Sequence, residues 1–434
     1  MSVVHQWTGA TARALRLAAR MSVRAFAAHL GVNERTVSKW DSGGVDLVPT
    51  PATQEILDTA LAMFPADVRQ RFDALVDARE TPKRVVPSSA DASILSTQLV
   101  RADVRAISQF ARNFTTGMAN TATMDFIEGE IHRLAVDYLA LSTVDIFADL
   151  QGLRRTVFDL LDHNRYPAQQ RRLLLYGARL CGLYSHVLMD TGFYRPAATV
   201  AATAWECATA ADHPNTRAWV RGIQSLIAYW DNDHRAAADL AAAGTRLASS
   251  GSATVRLPGL HARAAAALGN TRTATLALST AATARDLYRP DPDDVGGLFD
   301  FPEAKQATYA GTTLLALASP SHINKAIDES TRAITLYNAS GNHDVSQPDM
   351  LAARLDLATA HLAAGDLDGT DEQTRFVLAA PPDAHTASIT KRLATLTDTL
   401  ATTAAGASAA GKQLHEDLEC FNQHHKRQVG DQQP

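Results

Sequence analysis

The segment from Ser22 to Gly43 constrains this chain most tightly, because it combines two helix starts, two apolar faces and a helix stop. Ser22 can accept a hydrogen bond from the free N–H groups that begin a helix. Gly31 can adopt the left-handed conformation that ends one. The apolar residues between them, at helical spacing, are Val23, Phe26, Ala27 and Leu30. The pattern predicts a short amphipathic helix that stops at Gly31.

A second short helix is predicted directly after this stop. Val32 is expected to pack between the two helices, Asn33 to cap the second one, and Val37 and Trp40 to form its buried side. The remaining side chains point outward and carry charged or hydrogen-bonding groups: Glu34, Arg35, Thr36, Ser38 and Lys39. Groups of this kind suit contact with base edges and phosphates in the major groove of DNA.

The segment resembles the helix-turn-helix of the Cro and lambda-type repressor class, the Xre family. The positions that carry the resemblance are Ala27, Leu30, Gly31, Val32, Val37 and Trp40 to Gly43. The sequence departs from the family at Asp41, where Glu is usual. It departs again at Val23, where many members have a Gln near the DNA backbone. Arg24 is expected to take over that phosphate contact.

The resemblance implies a division of roles among the outward-facing residues. Glu34, Arg35 and Lys39 are expected to read base edges. The residues expected to position the DNA backbone are Arg24, Asn33, Thr36 and Ser38. The alternative is a plain helical hairpin that has no DNA partner.

The charge distribution favours DNA over the plain hairpin. Residues 1–40 contain six basic side chains and one acidic one, a net charge of +5, whereas the whole chain carries −5. A basic head on an acidic body attracts phosphates to the head alone. The arginines of the first helix (Arg13, Arg16 and Arg20) are less decisive, because they also fit a solvated face.

Length and composition place limits on the whole chain. A chain of 434 residues with 46% hydrophobic residues is long enough for more than one folding unit. Its three cysteines, Cys181, Cys207 and Cys420, are far apart and lack metal-binding spacing, which favours a reducing cytosol. No stretch approaches 18 apolar residues, so no membrane partner is expected. The predicted location is the cytoplasm, in association with the nucleoid.

The chain is predicted to contain five segments. Residues 1–80 form a five-helix repressor-like domain, in which a fifth helix covers 66–78, and residues 81–93 form a linker. Residues 94–165 form a helical block, and 166–400 form helical repeats. Residues 401–434 are of low complexity and are predicted to be disordered. The fold class is therefore all-α.

Turn signals recur from residue 190 onward, about 38 to 51 residues apart. They are Asp190-Thr191-Gly192, Asp231-Asn232, Gly269-Asn270, Pro320 and Gly365-Asp366. Helices rich in small residues follow several of them. The pattern resembles degenerate tetratricopeptide repeats, which stack helix pairs into a superhelix. An ordinary multi-helix domain is the alternative.

The inner wall of such a superhelix is a binding surface for a ligand. Large residues that can line this wall, although core packing is expected for each, are Tyr176, Arg179, Tyr184, Trp219, Gln224, Tyr229 and Trp230.

No catalytic motif is found, and neither a cofactor nor a metal is expected. The segment Gly406 to Lys412 matches the start of a phosphate-binding loop, but Gln413 replaces the hydroxyl residue that such a loop needs.

The chain as a whole resembles actinobacterial regulators that couple DNA binding to a signal held in a tetratricopeptide domain. The resemblance implies a sequence-specific transcriptional regulator that binds double-stranded DNA as a homodimer. Its repeats would sense a peptide, a small molecule or a protein. The alternative is a protein-interaction scaffold with vestigial DNA binding.

Overall fold

The computed structural model describes residues 7–43, 47–65, 68–69, 71–72, 121–163, 166–291, 293–340 and 346–430. The chain divides into two compact units, residues 1–100 and 101–434. The described residues form α-helices and two short 3-10 helices and include no strand, so the predicted all-α fold class is confirmed. None of the described helices combines the length and apolar character needed to cross a bilayer.

The first unit contains four described helices around one apolar core. They are α1 (Gly9–Ala18), α2 (Val23–Leu30), α3 (Glu34–Gly43) and α4 (Pro51–Met63). Its largest fully buried side chains are Trp7, Leu15, Phe26, Leu57 and Phe72. The predicted fifth helix over 66–78 lies largely outside the described residues, and the predicted linker 81–93 lies wholly outside them.

The second unit consists of helices that follow one another in pairs. Before the pairs come α5 (Thr121–Asp137) and α6 (Thr143–His163). The first three pairs are α7 (Pro167–Asp190) with α8 (Tyr194–Ala210), α9 (Pro214–Trp230) with α10 (His234–Thr245), and α11 (Ala253–Ala267) with α12 (Thr271–Asp286). The next three are α13 (Glu303–Leu317) with α14 (Pro320–Ala339), α15 (Gln347–Ala364) with α16 (Leu367–Leu378), and α17 (Ala387–Thr402) with α18 (Ala409–Gly430). The 3-10 helices are Gly297–Phe299 and Pro382–Ala384.

Each predicted turn signal falls at the junction of the two helices of a pair, which confirms the helical repeat. Gly192, Gly269 and Gly365 adopt positive φ angles of 85°, 74° and 82°, and Asn232 adopts 66°. In this left-handed region the backbone leaves one helix and reverses direction. The side chain that caps the next helix follows at once, as when Asp366 accepts a hydrogen bond from the Gly369 amide at 3.0 Å.

The second helix of several pairs presents a stripe of small side chains to its neighbours. On α8 the buried residues are Ala197, Ala201, Ala204 and Ala208, and on α12 they are Ala274, Ala277 and Ala281. A stripe of methyl groups lets two helix backbones approach closely without leaving a void. The small-residue helices predicted after the turns are therefore present.

The structure corrects the prediction of a disordered tail over 401–434. Residues 409–430 form α18, on which Leu414 and Leu418 are 2% and 0% exposed. They share a core with Leu393, Leu396 and Leu400 of α17. The alanine-rich composition led to the prediction of disorder. Leu414 and Leu418 are four residues apart, however, and this spacing places both on the helix face that packs against α17. Residues 431–434 lie outside the described residues.

The predicted helical block 94–165 shares its core with the first helix pairs. One apolar core extends from Met124 on α5 through α7 and α9 to Tyr309 on α13. The part of the block that the structure describes therefore belongs to the same folding unit as the first repeats, because the two bury their apolar side chains together. Residues 94–120 of the block lie outside the described part.

Gly182 on α7 provides a test of this close packing. A Cβ atom at Gly182 would lie 2.1 Å from Cζ3 of the buried Trp219. We expect Gly182→Ala to lower the free energy of unfolding by about 1–3 kcal/mol, because overpacking forces the indole to shift. The matched control is Gly129→Ala on α5, where a Cβ would meet nothing within 4 Å. That variant should gain about 0.5–1 kcal/mol, and thermal unfolding of both would compare them. Equal stability of the two variants would contradict the described contact.

Candidate functional site

The turn between α2 and α3 is built by side-chain caps at both helix starts. Ser22 Oγ accepts a hydrogen bond from the Ala25 amide at 3.2 Å, and Gly31 ends α2 with a φ angle of 68°. Asn33 Oδ1 accepts a hydrogen bond from the Arg35 amide at 2.9 Å. These caps agree with the roles predicted for Ser22, Gly31 and Asn33. They leave three residues between the two helices.

One side of α3 is anchored in the core of the first unit. Val37 and Trp40 are buried together with Phe26 and Ala27 of α2, as predicted. Val32 in the turn is half-buried against the same core. Because the buried side is fixed, the orientation of the opposite side is fixed as well.

The opposite side of α3 and its cap presents the predicted contact residues to solvent. The exposed ones are Asn33, Glu34, Arg35, Ser38 and Lys39, and Thr36 is half-buried. Arg24 projects from α2, and its side chain is 87% exposed. The structure thus brings six of the predicted residues together on one helix and its cap, and places the seventh on the helix before it.

Two of the predicted contact residues interact with each other. Arg24 Nε lies 3.6 Å from Glu34 Oε1, and the two side chains are 87% and 59% exposed. An ion pair this exposed contributes about 0–1 kcal/mol. The pair therefore separates at little cost when another partner approaches, but it lowers the positive charge offered at this end of α3.

Arg16 has a structural role that the sequence interpretation missed. Its guanidinium binds Asp41 through two hydrogen bonds, Nη2 to Oδ2 at 2.6 Å and Nε to Oδ1 at 3.2 Å. Nη1 donates to the Met21 carbonyl oxygen at 2.8 Å. The Arg16 and Asp41 side chains are only 12% and 21% exposed. This half-buried pair joins α1 to α3, so Arg16 belongs to neither a solvated face nor a DNA-contacting one.

Substituting Asp41 and Glu34 of α3 in turn compares the contributions of these two ion pairs to stability. Asp41→Ala leaves the half-buried Arg16 guanidinium without its carboxylate, and we expect a loss of about 1–3 kcal/mol in local stability. Glu34→Ala breaks only the exposed pair and should stay within about 1 kcal/mol. Hydrogen exchange of peptides from α1 and α3, followed by mass spectrometry, measures both. Equal protection in the two variants would refute the structural role of Asp41.

The second unit contains two neighbouring cavities, of about 90 and 420 Å³. Both are lined by Lys305, Ser346 and Asp349. The first helices of all six pairs, α7, α9, α11, α13, α15 and α17, contribute to the wall of the smaller cavity. Its polar and aromatic lining includes Tyr138, His186, Asp190, Trp230, Arg263, Lys305, Tyr309, Asp349 and Arg392. Helices distant in sequence therefore converge on one polar interior.

Two ion pairs with low solvent exposure lie at or beside this cavity. Lys305 Nζ is 2.8 Å from Asp349 Oδ2, and Arg392 Nε is 3.1 Å from Asp356 Oδ1. Burial alone lowers the pKa of Lys305, but the adjacent Asp349 carboxylate outweighs it and the pKa is raised. Burial also acts to lower the pKa of Arg392, but the Asp356 carboxylate outweighs this effect and the pKa is raised. Each cation is thus held in its charged form by its own partner.

Asp190 has no such ion-pair partner among the described residues and lies in a different environment. Its Oδ2 accepts a hydrogen bond from the Tyr138 hydroxyl at 2.5 Å. Burial, with a further contribution from the negative charge of Asp349, raises the pKa of Asp190 to about 6. The hydrogen bond from Tyr138 and the charge of Lys305 act in the opposite direction. Asp190 therefore titrates close to neutral pH.

The titration of Asp190 predicts a pH dependence of stability. Its pKa is raised from 3.8 to about 6 on folding, so the folded protein holds this proton more tightly than the unfolded chain. The resulting stabilisation is complete below about pH 4 and is lost as the pH rises through about 6. Asp190→Asn, which can still accept from Tyr138, should reduce the loss of stability between about pH 4.5 and 7.5 by about 2 kcal/mol.

Urea unfolding at several pH values measures this effect. The control is Asp328→Asn, which changes an exposed aspartate of α14. If the two variants showed the same pH profile, the raised pKa of Asp190 would be wrong.

Sequence reasoning named Tyr229 and Trp230 as large residues of an inner wall but expected them in the core. Both are half-buried, and Trp230 lines the smaller cavity. The charged residues of the cavity were missed. A signal for them exists on α11, where Arg256 and Arg263 interrupt a largely apolar helix at a spacing of seven residues. This spacing places both on one helix face.

Comparison with known proteins gives no family assignment. No family model matches the chain, and no curated protein matches it. A solved structure that matches is BtubC (BKLC) from P. vanneervenii, with 13% sequence identity and a TM-score of 0.38. The match covers 53% of this chain and 87% of that one. A likeness at this level carries no argument about function.

Proposed function

We propose that the protein is a sequence-specific DNA-binding transcriptional regulator of the helix-turn-helix type. The observation that supports this most is the two-sided character of α3. Its apolar side is fixed by the buried Val37 and Trp40, and its other side exposes hydrogen-bonding and charged groups without an apolar patch. A rigidly held polar helix is what reading the major groove requires.

In this proposal some side chains of α3 contact base edges and others contact phosphates. Arg35 donates to a guanine edge, Lys39 reads a second base edge and Glu34 accepts from a base amino group. The residues that contact phosphates are Arg24, Asn33, Thr36 and Ser38. Arg24 and Glu34 must then leave their mutual ion pair, which their exposure makes inexpensive.

The second unit would supply dimerisation and the signal. One recognition helix buries too little surface for a tight specific site, so two copies on an inverted repeat are expected. The polar cavities formed by the helix pairs suit a small ligand that biases the protein toward or away from DNA. The proposal includes that these helix pairs are degenerate tetratricopeptide repeats.

A scaffold that binds a partner protein and no longer binds DNA is the second candidate. The observation that favours it is the Arg24–Glu34 pair, which occupies two predicted DNA contacts. Salt dependence separates the two functions. Contacts to phosphates release counterions, so specific DNA binding must weaken steeply as salt rises.

Selection of bound fragments from a random duplex library by the full-length protein tests the main proposal. An enriched inverted repeat, with half-sites one or more helical turns apart, is the expected result. Binding to the enriched site should also be lost when the salt concentration is raised. Fragments without any common sequence would favour the scaffold.

Arg35→Ala tests the assignment of the recognition helix on the selected site. Loss of a bidentate contact should cost about 1–3 kcal/mol at one base pair and relax the preference there. The charge-matched control is Arg272→Ala, which removes an exposed arginine from the second unit. The control should bind with unchanged affinity and preference. Arg35→Ala binding as selectively as the unmodified protein would contradict the assignment.

A further inference from the structure

Two arginines of α11 carry N–H groups that have no acceptor within the described residues. Arg256 and Arg263 are 2% and 3% exposed. Nε of both side chains and Nη2 of Arg263 donate no hydrogen bond to the part of the chain that the structure describes. Native proteins pair nearly all buried polar groups, because an unpaired donor destabilises the fold. These two side chains are exceptions that need a physical explanation.

The surroundings of Arg263 hold its side chain in place without pairing it. Its guanidinium lies 4.5 Å from the ring centres of Tyr229 and Tyr309 and 5.7 Å from that of Trp230. Aromatic rings interact with the flat face of a guanidinium, whereas its N–H groups point outward in the guanidinium plane. Arg263 also lines the smaller cavity. The rings therefore hold the guanidinium at the cavity wall, and the structure shows no carboxylate paired with it among the described residues.

Arg256 strengthens the positive charge at the same place. Its Nη2 lies 3.4 Å from Nε2 of His186, which lines the cavity. Burial and the neighbouring Arg256 charge hold the pKa of His186 well below its usual range, so the imidazole is neutral. The histidine therefore adds no positive charge of its own and separates Arg256 from the cavity by one ring.

The fixed charges around the cavity leave a positive excess. Lys305 and Arg392 are paired with Asp349 and Asp356. Asp190, the remaining carboxyl group, receives the Tyr138 hydrogen bond and titrates near neutrality. Among the described residues, no carboxylate forms an ion pair with Arg256 or Arg263. A buried site with excess positive charge and a guanidinium in its wall favours an anion.

We propose that the smaller cavity binds the carboxylate group of a small organic acid. Arg263 is its direct partner, and Arg256 adds longer-range attraction. The planar fork of a guanidinium matches a carboxylate, and about 90 Å³ admits one such compact group. The neighbouring cavity of about 420 Å³, which shares Lys305, Ser346 and Asp349, receives the rest of the molecule. The site lies within the second unit and does not depend on the proposed DNA binding.

The carboxylate fits this lining better than a phosphate does. The wall of the smaller cavity also includes the apolar side chains of Met189, Leu226 and Leu298. A phosphate dianion keeps four oxygens that need donors, whereas a carboxylate keeps two and tolerates an apolar wall on its other side.

Thermal shift and isothermal titration calorimetry on the full chain, without DNA, test the proposal. The probes are sodium acetate, sodium benzoate and inorganic phosphate, with ionic strength equalised by sodium chloride, and benzamide as the uncharged analogue of benzoate. Benzoate or acetate should raise the unfolding temperature in a saturable way, and benzamide should not. Stabilisation by phosphate but by neither carboxylate would overturn the assigned ligand class.

Arg263→Met separates a ligand-binding role from a structural one. The variant removes the unpaired donors and keeps an apolar stem, so the ligand-free protein should unfold at the same temperature or higher. Carboxylate binding should weaken about tenfold or more. Arg263→Lys, which keeps the charge but not the fork, should bind with intermediate strength. The control is Arg272→Met on α12, which should behave like the unmodified protein.

A purely structural Arg263 gives the opposite pattern. Arg263→Met would then unfold at a lower temperature, Arg263→Lys would restore stability, and no carboxylate would shift either transition. That result would overturn the proposal, whatever the outcome of the DNA-binding experiments.

Discussion

The close approach of neighbouring helices in the second unit is the constraint on which the rest of that unit depends. It requires small side chains at the contact, as in the stripe from Ala197 to Ala208 on α8. It also requires the absence of a side chain at Gly182, against which the Trp219 indole lies. Where both conditions hold, helices pack at short distance along their full length. Of the first helices, α11 is then buried on nearly all sides.

Burial of the first helices explains why the cavity is polar. A helix such as α11 contacts neighbours on several faces, and its Arg256 and Arg263 cannot reach solvent. Charges in such a place need partners, and Asp349 and Asp356 provide them for Lys305 and Arg392. The repeat thus concentrates titratable groups in one interior, where each alters the pKa or the charge balance of the others. A site whose charge depends on pH near neutrality, through Asp190, is a consequence of this arrangement.

The first unit follows a simpler principle, in which the core determines what the surface can present. Val37 and Trp40 fix one side of α3, and the Arg16–Asp41 pair fixes α3 to α1. The polar side of α3 is therefore held rigidly although none of its side chains is buried. Rigid support of this kind reduces the entropy lost when a helix binds a partner.

The sequence by itself determined the all-α class, the ends of α2 and α3 and the turns within the helix pairs. These features depend on neighbours in the chain: Ser22, Gly31 and Asn33 act within one turn of backbone, and the Gly365-Asp366 turn likewise. The outward face of α3 was predicted for the same reason, since helical periodicity alone separates Arg35 and Lys39 from Val37 and Trp40.

Only the tertiary structure decided which distant residues meet. Arg16 and Asp41 are 25 positions apart, and Tyr138 is 52 positions from Asp190. No local periodicity links such pairs. The same holds for α18, where Leu414 and Leu418 are buried because they pack against the core residues of α17. The cavity assembled from six helices was beyond sequence reasoning because burial depends on the neighbours that surround a helix, and those are fixed only when the helices pack.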